Sequence, residues 1–143
     1  MSLTSCLDDT IDLPRQELQG KIDDQEWVLG SAGAFVQSTT LQYRFLFTPG
    51  NFGTVASDPC VNPSPTQPHV SMVFRPRLGS FSLPLASLNE EVRIHFQPGS
   101  NLLAAAGILE IIDINNGQVF GYLQAIVDDE TTVEGSFVAI LCN

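Results

Sequence analysis

Between Gly107 and Cys142 three runs of alternating apolar and polar residues are separated by Asn115-Asn116-Gly117 and by Asp128-Asp129-Glu130-Thr131-Thr132. Asn-Gly between alternating runs is a strong hairpin signal, because both central turn residues must take positive φ. The stretch therefore reads as a three-stranded antiparallel meander. A meander has an apolar face that must be covered, which fixes the class of fold the remaining residues have to complete.

Those residues keep the same period of two from Leu18 onward. Gly20-Lys21-Ile22-Asp23 turns at Asp23-Asp24-Gln25 into Glu26-Trp27 and a run to Gln37. Leu41, Tyr43, Phe45 and Phe47 share a face; Val70, Met72 and Phe74 alternate with Ser71; Val92, Ile94 and Phe96 alternate with Arg93 and His95. Each set predicts a half-buried strand. No window shows comparable helical periodicity with caps, and only Ser87 to Glu91 is a candidate for a single helical turn. The expectation is an all-β fold with little helix: an antiparallel β-sandwich or squat barrel of about 8–9 strands. Residues 1–16 are polar and acidic and read as a flexible tether; residues 17–143 read as one β-sandwich domain. A chain of 143 residues hides roughly 68% of its unfolded surface, enough for a single core. Glycines inside the strand runs, among them Gly30, Gly33, Gly107, Gly121 and Gly135, predict bulges or close backbone approaches.

The rhythm breaks between Pro49 and His69, where Pro49, Pro59, Pro63, Pro65 and Pro68 are concentrated. A loop of about 20 residues is uncommon in a compact domain. This one is either a functional loop or an ordered crossover pinned by Cys60.

Six basic residues against 16 acidic ones give a net charge of −10. That field repels phosphate backbones and anionic lipid, and the five arginines and Lys21 are scattered, so nucleic acid is excluded as a partner. No apolar run reaches the ~18 residues a membrane helix needs, which leaves a lipid anchor as the only membrane attachment. Leu3-Thr4-Ser5-Cys6 has the form of a lipobox. Two readings remain open: Cys6 is the acylated first residue of a trimmed mature protein, or an ordinary cysteine near a frayed end. The cysteine count bears on this. With Cys6 acylated, Cys60 and Cys142 are left as a disulfide pair; the alternative is free thiols in a reducing compartment.

Catalytic chemistry is thinly represented. His69 and His95 are the only histidines. His95 lies on the polar face of its strand, and His69 sits after Pro68 where a turn contact is expected. No GxSxG or HExxH occurs. Asp23-Asp24, Glu90-Glu91 and Asp128-Asp129-Glu130 are adjacent acids at turns or strand edges, unlike the opposed carboxylates of a glycosidase. No metal ligand set and no cofactor is expected, calcium being the one ion such acids would suit. Binding is easier to place. Phe120 and Tyr122 fall opposite the Val119, Leu123, Ala125 and Val127 face, so they either decorate the outside of the sheet or are covered by a second sheet. With His69 they are the candidate binding residues, for a sugar or protein ligand.

Gly20-Lys21-Ile22-Asp23 with Glu26-Trp27, and Gly117-Gln118-Val119-Phe120-Gly121 with Val133-Glu134-Gly135-Ser136-Phe137, resemble the opening and closing strands of small lipoproteins of Bacteroidetes-type bacteria. Cys6-Leu7-Asp8-Asp9 resembles the acidic tract that follows their lipidated cysteine. Those domains are all-β and largely uncharacterised, so the resemblance implies a fold and a cell-envelope location, outer-membrane-anchored, periplasmic or at the cell surface, without catalytic residues. The expected function is a non-enzymatic binding or structural module. The alternative is a carbohydrate-processing accessory or weak hydrolase working from the 49–69 loop.

Overall fold

The computed structural model describes residues 16–37, 41–51, 58–60, 67–86, 89–97 and 100–142. They form ten strands: β1 (Gln19–Ile22), β2 (Gln25–Val36), β3 (Tyr43–Pro49), β4 (His69–Phe74), β5 (Gly79–Ser82), β6 (Glu91–Gln97), β7 (Ser100–Leu103), β8 (Ala106–Asn115), β9 (Gln118–Asp128) and β10 (Thr131–Cys142). No helix occurs among the described residues. Ten strands exceed the expected count of about 8–9, and length explains the excess. β5 and β7 have four residues each, too few to show a period in the sequence.

The C-terminal meander forms as read. Asn116 and Gly117 take φ of 51° and 75°, the two positive values a tight hairpin turn needs. Asp23 and Asp24 do the same at the β1–β2 turn, with φ of 52° and 64°, because a short polar side chain tolerates the left-handed region. That turn rests against the next acidic one: Asp24 N–H donates to Glu130 O at 2.8 Å, and Asp23 N–H to Thr131 Oγ1 at 3.0 Å.

All ten strands belong to one sheet, in the order β5-β8-β9-β10-β1-β2-β3-β4-β6-β7. Its curl is set by one run of chain. β7 and β8 are separated only by Ala104-Ala105, and these residues hand the run from one neighbour to another. Ala104 N–H donates to Val92 O on the β6 side at 2.9 Å, and Ala105 N–H to Ile126 O on the β9 side at 2.8 Å. A strand that bends and changes partners is how a sheet turns a corner. The sheet therefore curls upon itself, nearer to the squat barrel than to two separate stacked sheets. β1 is a wedge of the same kind: it separates β10 from β2 near its own residues, while farther along Ile140, Leu141 and Cys142 pair directly with Gly33, Ala34 and Phe35.

The interior is filled by the inward residues of every long strand, including Trp27, Phe45, Phe47, Met72, Phe74, Ile94, Leu109, Leu123 and Phe137. Rings meet at preferred geometries, with Phe47 and Phe137 edge to face at 5.0 Å. Trp27 is fully buried, and its indole N–H donates to Pro68 O at 2.9 Å. The core tryptophan thereby fixes the end of the proline-rich connection. The start is held by Asn51, whose Oδ1 accepts from Val28 N–H and whose Nδ2 donates to Glu26 O, at 3.1 and 2.9 Å.

Cys60 is bonded to Cys142, 82 residues away, with Cα atoms 5.7 Å apart. The described part of the connection lies on the outside of the sheet. At Gly33 a Cβ would stand 2.0 Å from Pro59 O and 3.3 Å from Cys142 Sγ, so only glycine lets Pro59 approach β2 this closely. Thr48 and Leu46, on the outward face of β3, are 3% and 2% exposed, as expected for residues under a covering segment. β3 and β4 are direct antiparallel neighbours, so the connection is a long hairpin loop where a crossover had been one expectation, and Cys60 pins it to β10 as that expectation required.

Candidate functional site

Two outer faces of the curled sheet carry the residues singled out from the sequence. The first spans β8, β9 and β10. Strict alternation sends Val119, Leu123 and Ala125 into the core, all fully buried, and leaves Phe120 and Tyr122 outside and half-buried. Neither belongs to the core or packs against it. The ten-stranded sheet is the only sheet among the described residues, so no second sheet covers this face. Register builds a strip across it: Glu110, Tyr122 and Ser136 stand in one row, and Asp113, Phe120 and Val138 in the next. Val138 is 42% exposed.

The polar groups around this strip are held by one another. Tyr122 O–H donates to Glu134 Oε2 at 2.5 Å, and Ser80 O–H donates to Glu110 Oε2 at 2.9 Å, reaching across from β5. Burial pushes the Tyr122 phenol up to about 12, helped by the hydrogen bond to Glu134 and by the charges of Glu134 and Glu110. The phenol stays neutral and fixed across the working pH range. The result is an aromatic surface, with Tyr122 held at its hydroxyl, edged by carboxylates and by the amides of Gln118 and Gln124. Its chemistry is stacking combined with hydrogen-bond acceptance. Opposed carboxylates across a cleft are not part of it.

The second face spans β3, β4 and β6. His69 and His95 are direct cross-strand partners, and their rings stack at 4.4 Å with planes 8° apart. His69 Nδ1–H donates to Gln67 O at 3.0 Å, the turn contact expected for a residue at this junction. Ser71 Oγ shares a 2.8 Å hydrogen bond with His95 Nε2. His95 is therefore half-buried and engaged, where its place on a polar face had suggested a solvated side chain. Burial lowers the pKa of both rings. His95 falls to about 4, with the charges of a protonated His69, Arg44 and Arg93 adding to burial and Glu91 opposing it. For His69 the backbone hydrogen bond opposes burial, and Arg44 lowers it further. Both imidazoles are neutral at pH 7.

This pair is not a preformed metal site. A metal bound by imidazole lies in the ring plane, and two parallel planes at stacking distance cannot both contain it. Among the described residues no group of three His, Cys, Asp or Glu side chains is placed to hold a metal ion. The acidic turns at Asp23-Asp24 and Glu130 do meet, through their backbones. Among the described residues a Ser71–His95 nucleophile also lacks its third member, Glu91 being committed to Arg93 at 2.5 Å. Cys60 is consumed by its disulfide and offers no thiol to His69. Cys6 lies outside the described residues.

Sequence reasoning missed a third cluster. Arg77 reaches back over the edge of the sheet and forms a bidentate ion pair with Glu90, at 2.9 and 3.0 Å. Its Cζ lies 4.5 Å from the Phe74 ring centroid and 4.7 Å from that of Phe81. Glu90 is 7% exposed and also accepts from Arg75 N–H at 2.8 Å. This clasp ties β5 to the end of β4 and the entry of β6. In the sequence Glu90-Glu91 reads only as a pair of adjacent acids at a turn or strand edge. Only the burial of Glu90 distinguishes the two residues, and nothing in the local pattern reports it. Two clefts flank the clasp, sharing Pro84, Leu85 and Glu90 in their walls.

Compared with known protein families, with curated proteins and with solved structures, the chain matches none.

Proposed function

We propose that this chain is a non-enzymatic binding module of an extracytoplasmic compartment, and that it takes its ligand on the Phe120–Tyr122 face. The observation that carries the reading is the Cys60–Cys142 disulfide. Such bonds persist in oxidising surroundings and are rare in reducing ones. Acylation of Cys6 in a small cell-envelope lipoprotein accords with this location, the acidic residues up to about Gln16 serving as a tether. The ligand class follows from the strip itself. Fixed aromatic rings beside acceptor carboxylates and amides suit a neutral sugar chain, whose C–H faces stack and whose hydroxyls donate. Anionic glycans are disfavoured by Glu110, Asp113 and Glu134.

A glycan array on the purified domain, followed by NMR titration with the selected oligosaccharide, tests the proposal. Saturable shifts centred on Phe120, Tyr122 and Val138 are expected, with loss of binding in Phe120→Ala and Tyr122→Ala and unchanged melting within about 1 kcal/mol. Binding that maps to another face, or survives both substitutions, overturns the site. Nothing favours the hydrolase alternative: among the described residues His69 is surrounded by His95, Arg44 and a backbone carbonyl, without a pair of carboxylates.

A further inference from the structure

The Arg77 guanidinium has more donors than the clasp uses. Of its five N–H groups, both on Nη1 are engaged, one with Glu90 Oε2 at 2.9 Å and one with Arg75 O at 2.8 Å. One on Nη2 is engaged with Glu90 Oε1 at 3.0 Å. Because the group is planar and Glu90 occupies the end-on position between Nη1 and Nη2, the remaining Nη2–H and the Nε–H lie parallel along one side. That side is the second of the two forks by which arginine takes a planar oxyanion. The fork is held in place by what surrounds it. The buried Glu90 carboxylate fixes one edge, and the Phe74 and Phe81 rings support the group, their centroids 5.2 Å apart. The Arg77 side chain nonetheless retains 34% of its exposure.

Arg77 lines a cleft of about 410 Å³ beside β5, whose other walls include Phe81, Ser82, Pro84, Leu85 and Ala86. Ser80 and the buried Glu90 carboxylate complete the walls, so the apolar part is Phe81, Pro84, Leu85 and Ala86, with the guanidinium as the cationic group among them. We propose that this cleft binds an organic monocarboxylate with a short apolar tail, the carboxylate on Arg77 Nε–H and Nη2–H and the tail against Pro84, Leu85 and Ala86. The cleft adjoins the Phe120–Tyr122 face, since Ser80 on its wall donates to Glu110 at the border of that face, but the proposed binding groups are different ones. Glu90 already neutralises the charge of Arg77, so the geometry of the fork, more than net charge, directs binding, and affinity falls in the millimolar range typical of a single charge-assisted contact with a small tail. Carboxylate is preferred to phosphate because a planar, singly charged group matches both the fork and the apolar walls.

Titration of the wild-type domain with sodium butyrate, read on the side-chain Nε–Hε resonance of Arg77, tests the site. Arg77→Lys assigns that resonance, and contacts to the Phe74 and Phe81 rings assign it if the lysine variant does not fold. A saturable downfield shift is expected with butyrate and not with butyramide. Ala86→Trp, at an exposed wall position away from the clasp, is expected to fill the cleft and abolish the shift while the protein melts as wild type. The proposal is overturned if sodium chloride at matched ionic strength gives the same shift, if butyramide does, or if the shift persists in Ala86→Trp.

Discussion

Replacing both bridged cysteines by serine removes a constraint that acts mainly on the unfolded chain. Cys60 and Cys142 are 82 residues apart, and the chain-entropy relation gives a stabilisation of about 4.5 kcal/mol at 25 °C for a loop of that length. The unfolding entropy of a 143-residue chain, at ~2.1 cal/mol/K per residue, is about 0.3 kcal/mol/K, so the melting temperature should fall by about 15 °C. Calorimetry of Cys60→Ser/Cys142→Ser against the bridged protein, both carrying Cys6→Ser to prevent exchange, measures the difference. Reductant should lower the melting temperature of the bridged protein to that of the double variant and leave the double variant unmoved. A fall of less than about 5 °C, equivalent to ~1.5 kcal/mol, would show that loop closure is not what the bridge contributes. A bridged protein indifferent to a strong reductant would remove the disulfide from the argument altogether, and with it the extracytoplasmic reading.

Other outcomes follow from single contacts. His95 is held at about 4 in the folded protein, well below the ordinary 6.5 of an imidazole, so the unfolded chain takes up the proton first. Stability present above pH 6.5 should decline as pH falls towards 4 and level off below it, by about 1–2 kcal/mol after discounting for solvent screening. His95→Gln should flatten that part of a pH–melting profile, and an unchanged profile would refute the assignment. Gly33→Val drives a side chain into Pro59 O and should cost about 2–3 kcal/mol. That cost should shrink in the Cys60→Ser/Cys142→Ser background, where the segment is free to lift, and a double-mutant cycle on chemical denaturation reads the coupling. Trp27→Phe keeps most of the buried ring but leaves Pro68 O without the indole donor. It should cost about 2–4 kcal/mol in urea unfolding from lost volume and the lost hydrogen bond together, and a variant as stable as wild type would show that the connection is not held there.

Alternation is a property of the extended backbone itself, so residues such as Val119, Leu123 and Ala125 declare their face without knowledge of what lies across from them. Turn residues declare themselves for the same local reason: Asn116-Gly117 and Asp23-Asp24 occupy a region of backbone space that few side chains accept. Cysteine arithmetic offered Cys60 and Cys142 as a pair once Cys6 was set aside as an acylated residue, with free thiols as the alternative, and the structure joins the two. These signals reached as far as the all-β class, most strand faces, the outward direction of Phe120 and Tyr122, and the bridge.

What they could not reach depends on which strands become neighbours. Whether a second sheet covers Phe120 and Tyr122 rests on the bend at Ala104-Ala105, where a single run changes partners and curls the sheet on itself. His69 and His95 become a stacked pair because β4 lies beside β6, a juxtaposition separated by 26 positions in the chain. Glu90 and Glu91 are adjacent acids with no local difference, yet the folded edge buries one against Arg77 and leaves the other on the surface. Local backbone preference set the longer strands and the tight turns of this protein from its sequence alone; desolvation and long-range register, which exist only once the chain has folded back on itself, decided the short strands β5 and β7 and which polar groups were brought together.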